Sequence, residues 1–91
     1  MTTVFVDTVA WIALANTRDA LHDSAKDVFN RLCVEEALFV TSEFVLLEFA
    51  NSLSAPDFRA GTSRFISSLY GSEVIEIVPS SSELFNDGLV L

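Results

Sequence analysis

The stretch VFVDTVAWIAL, residues 4–14, decides how the chain is read. It is apolar almost throughout and carries one acid, Asp7. TVFV (3–6) is β-branched and aromatic, the composition of a buried strand. VAWIALAN (9–16) follows as a helix, with Asp7 or Thr8 placed to cap it. Asp is among the best helix caps, so the carboxylate of Asp7 has a structural reason to be there before any chemical one.

Working outward, the same rhythm returns twice. Thr17, Arg18 and Asp19 make a polar break, and Asp19 can cap a helix over about 20–34. In that helix Leu21, Ala25, Val28, Phe29 and Leu32 recur at helical spacing, while Asp23, Lys26, Asp27, Asn30 and Arg31 face outward. ALFVT (37–41) reads as the second strand, and Thr41 or Ser42 starts a helix over about 43–53. Ala55, Pro56 and Asp57 form a turn with proline suited to the first helical position. Phe58, Phe65, Ile66, Leu69 and Tyr70 mark a fourth helix, with Gly71 as its C-terminal cap. VIEIV (74–78) is the third strand, stopped by Pro79. Ser80 to Glu83 spells a capping box before a fifth helix. Strands alternating with helices imply a parallel sheet with helices on both faces. Function in such sheets gathers at the carboxyl ends of the strands: Asp7-Thr8, Thr41-Ser42 and Pro79-Ser80.

Ninety-one residues make one small domain. With 51% hydrophobic and 20% charged residues and a mean hydropathy of +0.45, the chain is globular in composition. No apolar run nears the roughly 18 residues of a membrane span, and the N-terminus lacks a signal-peptide pattern. The single cysteine, Cys33, falls on a periodic helix and reads as a buried thiol. A cytoplasmic location fits. Thirteen acids against five Lys+Arg give a net charge of −8. A protein held to nucleic acid by phosphate contacts alone should be basic. This chain therefore needs cations as intermediaries, or a local patch drawn from Arg18, Lys26, Arg31, Arg59 and Arg64.

Glu48 is the second acid out of place. It lies in FVLLEFA (44–50), where every other residue is apolar. A helix that is apolar all round is expected to be buried, and a buried carboxylate must be paired, protonated or bound to a cation. Residues 32–58 contain no Lys or Arg. Three readings remain: a distant arginine, a second carboxylate sharing a proton, or a metal. If the first two strands are neighbours, Asp7 and Glu48 reach one cleft, where two like charges repel unless a cation lies between them. Mg²⁺ or Mn²⁺ suits such an all-oxygen site.

Several pieces, in order, resemble a PIN domain. They are V-F-V-D-T followed by a helix with Trp11, D-x-x-H-x-x-A (Asp19, His22, Ala25), T-S-E-F-V-L-L-E-F-A-N with Glu48, and a V-x-I-V-P strand end. The resemblance is closest to the ribonuclease toxins of bacterial toxin–antitoxin pairs. It implies a three-layer α/β/α fold with a short parallel sheet, here three strands and about five helices. It also implies a Mg²⁺- or Mn²⁺-dependent endoribonuclease acting on single-stranded RNA. Asp7 and Glu48 match the family's first two acids, as catalytic residues and metal ligands, and Thr8 matches a supporting hydroxyl. His22 matches a commonly seen helix residue but reads here as a surface histidine.

The departures matter too. Val9 stands where many members carry a small polar residue. The family's remaining acids lie beyond the fifth helix, and Asp87 does not replace them. The chain ends on Leu89-Val90-Leu91, partway through an amphipathic pattern, as a single PIN-like domain (1–91) without the family's last strands would. The site is expected to be half present and the chain weakly active or inactive. The alternative is a non-catalytic remnant that binds a partner protein such as an antitoxin. The first strand would then have an open edge, which invites pairing, so a homo-oligomer is expected. Other classes fit less well. A haloacid-dehalogenase-type site needs D-x-D, and position 9 is Val. A nucleotide-binding turn needs glycines, and Gly61, Gly71 and Gly88 are far from the first strand's end. His22 and Cys33 have no second zinc-type ligand nearby.

Overall fold

The computed structural model describes residues 2–53 and 55–79. β1 (Thr3–Phe5) leads into α1 (Thr8–Ala15), and after a turn comes α2 (His22–Val34). Then follow β2 (Leu38–Ser42), α3 (Glu43–Ser52), α4 (Pro56–Tyr70) and β3 (Ile75–Val78). The three strands form one parallel sheet in the order β1-β2-β3. The architecture is three-layer α/β/α with a short open sheet. The fifth helix expected after Pro79, its capping box and Asp87 lie outside the described residues.

Strand alternation sorts the sheet's side chains. Val4, Phe39 and Ile75 stand in register across the three strands, and Thr41 pairs with Ile77. These residues share one face, because side chains alternate with period two. On that face sits the core: Val6, Trp11, Ala37, Phe39, Val45, Leu46, Phe49 and Leu69. Aromatic rings lock the helices to it. Phe29 of α2 stacks on Phe39 of β2 at 4.5 Å between centroids. Phe65 of α4 meets Trp11 edge-on at 5.9 Å and Phe49 at 5.4 Å. Such pairs add about 0.5–1.5 kcal/mol each beyond area burial.

Local chemistry sets most helix starts. Asp7 is the N-cap of α1, its Oδ1 accepting the Ala10 N–H at 3.0 Å. Ser42, not Thr41, caps α3, with its Oγ accepting the Val45 N–H at 3.1 Å. Pro56 opens α4. Asp19 does not cap α2. Its side chain takes the Leu21 N–H at 2.8 Å and closes the preceding turn, so α2 begins at His22.

Two sequence expectations about α2 fail. Its apolar stripe is not buried: no α2 residue is fully buried, and Leu21 and Val28 are exposed. Cys33 is exposed as well. The helix is anchored through Phe29 and Leu32, which pack against the core, while Leu21 and Val28 border an open groove. Periodicity shows which side of a helix is apolar, but it does not provide something to cover that side. Gly71 does end α4, though with φ −84° and ψ −5°, a conformation open to any residue.

Candidate functional site

The carboxyl ends of β1 and β2 lie side by side. Their pairing runs through Phe5 and Val40, and the Val6 N–H still reaches the Val40 carbonyl at 2.8 Å. Beyond that bond each strand turns into a helix. β1 delivers Asp7 and Thr8 at the start of α1, and β2 delivers Ser42 and then α3. α1 packs against α3. Across that edge the Thr8 hydroxyl donates to Glu48 Oε1 at 3.4 Å, over 40 residues of sequence. That is long for a hydroxyl–carboxylate bond, so the contact is weak. Asp7 is the residue just before Thr8, and it uses Oδ1 for the α1 cap.

Glu48 is not buried, against expectation. Phe44, Leu47, Glu48 and Asn51 follow i, i+3, i+4, i+7 spacing and all four are exposed. Val45, Leu46 and Phe49 take the inward face. The stretch is apolar all round, but only one side of α3 has a core to meet. Glu48 is therefore solvated and needs no compensating cation for its own sake. What the structure shows is that Thr8 and Glu48 meet at the sheet edge, with Asp7 next to Thr8 in the chain.

Among the described residues, no group of three or more His, Cys, Asp or Glu is placed to hold a metal ion. Asp7, Glu48 and Thr8 offer oxygen donors only. That set fits a single Mg²⁺ or Mn²⁺ that keeps several waters. It does not fit a two-metal centre, which needs bridging and flanking ligands around both ions.

His22 has a structural task, unlike the surface reading. It is half-buried, and its Nδ1 lies 2.8 Å from the Ala13 carbonyl. A carbonyl only accepts, so Nδ1 carries the proton. The first residue of α2 thus satisfies a carbonyl in the last turn of α1, one of those a helix end leaves open. Arg18, Lys26, Arg31, Arg59 and Arg64 are exposed and spread over the α1–α2 turn, α2 and α4.

Sequence reasoning marked Thr41 and Trp11 as a strand end and a motif residue but missed the bond between them. Both are essentially fully buried, at 0% and 1% exposure. The Trp11 indole N–H donates to Thr41 Oγ1 at 3.0 Å, and the Thr41 hydroxyl donates to the Val6 carbonyl at 3.0 Å. The available signal was a buried Trp, whose N–H must find an acceptor, beside a strand that alternates Phe39 with Thr41 inward.

The PIN domain family model matches residues 4–89. The chain belongs to the PIN domain family. The PIN domain is also similar to the crystal structure of Mycobacterium tuberculosis VapC20, described as a Sarcin-Ricin loop cleaving toxin. The TM-score is 0.76 and the identity 26%, over 96% of this chain and 64% of that one. The PIN domain described here thus spans about two thirds of VapC20's length. No curated protein matches it. No helix among the described residues is long and apolar enough to cross a membrane.

Proposed function

We propose that this PIN domain is a metal-dependent ribonuclease-type domain, with Asp7 and Glu48 as two acids of its metal site and Thr8 supporting them. The observation that carries this is the meeting of Thr8 and Glu48 at the paired ends of β1 and β2, with Asp7 adjacent. Mg²⁺ or Mn²⁺ held there would supply positive charge against a phosphate and Lewis acidity. The chain's own contribution is orientation. Asp7 is held by its cap to the Ala10 N–H through Oδ1, a bond that does not use Oδ2. Thr8 stands within reach of Glu48 on the neighbouring helix. A bound cation would also reconcile the net charge of −8 with a polyanionic substrate. Single-stranded RNA is the substrate class that the family resemblance implies; VapC20 is described as a Sarcin-Ricin loop cleaving toxin.

Cleavage of single-stranded RNA in Mn²⁺ tests this. Wild type should outpace Asp7→Asn and Glu48→Gln by at least tenfold. Equal rates for all three would refute it. Asn is as good a cap as Asp, so Asp7→Asn keeps the helix start.

A second reading has its own observation. A groove of about 430 Å³ runs along the β1 edge, walled by α1 and α2. Phe5, Val9, Leu21 and Val28 line it and remain exposed. With two acids at the site among the described residues, a PIN domain that binds an antitoxin-type protein or a second copy of itself, without catalysis, accounts for this surface. Activity lost equally from wild type and variants, with a stable protein complex, would favour it.

A further inference from the structure

Thr41 presents a hydroxyl at the centre of an apolar core, fully buried. Valine would fill nearly the same volume, so packing alone does not call for oxygen here. Both halves of the hydroxyl are used. Indole N–H only donates and a carbonyl only accepts, so the chain of bonds runs one way, from Trp11 through Thr41 to Val6.

The endpoints are informative. The Val6 carbonyl belongs to the peptide that joins Val6 to Asp7. Trp11 stands one turn into α1, and its own backbone N–H reaches the Asp7 carbonyl at 3.2 Å. Thr41 immediately precedes Ser42, the cap of α3, and Glu48 is on that helix. Backbone pairing holds β1 to β2 as far as the Val6 N–H and Val40 carbonyl. One step further, where the strands part into their helices, the bond is made by the Thr41 side chain instead.

We infer that Thr41, with Trp11, is a positioning device that sets the spacing of Asp7 and Glu48. It ties the peptide leading to Asp7, the first turn of α1 and the root of α3 to one buried oxygen. A ligand pair needs placement within about 0.5 Å, and groups behind the ligands commonly provide it. This rests on reading Asp7 and Glu48 as a cation-binding pair. Its test therefore separates the two claims.

Wild type, Thr41→Val, Thr41→Ser and Asp7→Asn are titrated with Mn²⁺ by calorimetry. Amide and indole N–H spectra of the metal-free proteins are recorded in parallel. Trp11 is the sole tryptophan, so its indole signal is unambiguous. Thr41→Val should move that signal, shift the amides of Asp7, Thr8 and Glu48, and weaken Mn²⁺ binding tenfold or more. Thr41→Ser should restore both. Wild-type affinity in Thr41→Val, with the indole signal moved, overturns the positioning role and leaves the cation site intact. Wild type binding Mn²⁺ no better than Asp7→Asn removes the cation site. The positioning claim then stands if the three amides shift in Thr41→Val and falls if they do not. Should Thr41→Val not fold, Trp11→Phe removes the donor alone and must change the same signals in the same direction.

Discussion

Replacing Glu36 with glycine should make the protein more stable, although it removes a side chain and adds chain flexibility. α2 ends at Val34 with Glu35 as its C-cap, and Glu36 follows with φ +59°, the left-handed region that L-residues adopt only at a cost. The Glu36 N–H bonds the Cys33 carbonyl at 3.0 Å, and the Ala37 N–H bonds the Leu32 carbonyl at 3.0 Å. Those two bonds are the Schellman ending, whose left-handed position is normally glycine. A left-handed L-residue costs about 1–2 kcal/mol. Glycine escapes that cost but loses about 0.4–1 kcal/mol through its freer unfolded chain. The balance is a gain of about 0.5–1 kcal/mol, or about 2–8 °C in Tm for a domain of this size. A second effect runs in the same direction, because a carboxylate at a helix C-terminus opposes the macrodipole. Glu36→Gln isolates that electrostatic part. Urea unfolding followed by Trp11 fluorescence at high and low salt measures both. If Glu36→Gly is no more stable than Glu36→Gln, the backbone argument is refuted.

Gly71 is the converse case. Its φ is negative, and an added Cβ would meet only the Ser67 and Ser68 carbonyl oxygens at 3.8 Å, an ordinary contact. Gly71→Ala should therefore stabilise by about 0.5 kcal/mol in the same unfolding assay. Asp7→Ala should lose about 1 kcal/mol by uncapping α1. Asp7→Asn should keep that stability, which separates the cap from any binding role of the carboxylate. Cys33, exposed on α2, should react with a soluble thiol reagent in the native protein at close to its rate in urea. Protection by a hundredfold or more would mean that its helix face is covered in solution.

The sequence alone was enough wherever the determining interaction is local. Asp7 before an apolar helix, Pro56 after a turn, and β-branched runs at 3–6, 37–41 and 74–78 depend on backbone preferences within a few residues. They fixed the strand–helix order and the parallel sheet. The ordered motifs around Asp7, Trp11 and Glu48 likewise pointed to the family. Tertiary structure decided burial and partnership, because these depend on which faces find a neighbour. Glu48 lies in an apolar stretch yet faces water, since α3 has a core on one side only. Cys33 and Val28 follow a buried-looking period but border an open groove or solvent. His22 holds a carbonyl nine residues earlier in the chain. Thr41, 30 residues from Trp11 and 35 from Val6, joins them through one oxygen. No local pattern encodes that bond. It exists because two parallel strands end together, and there a buried indole needs an acceptor and a carbonyl needs a donor.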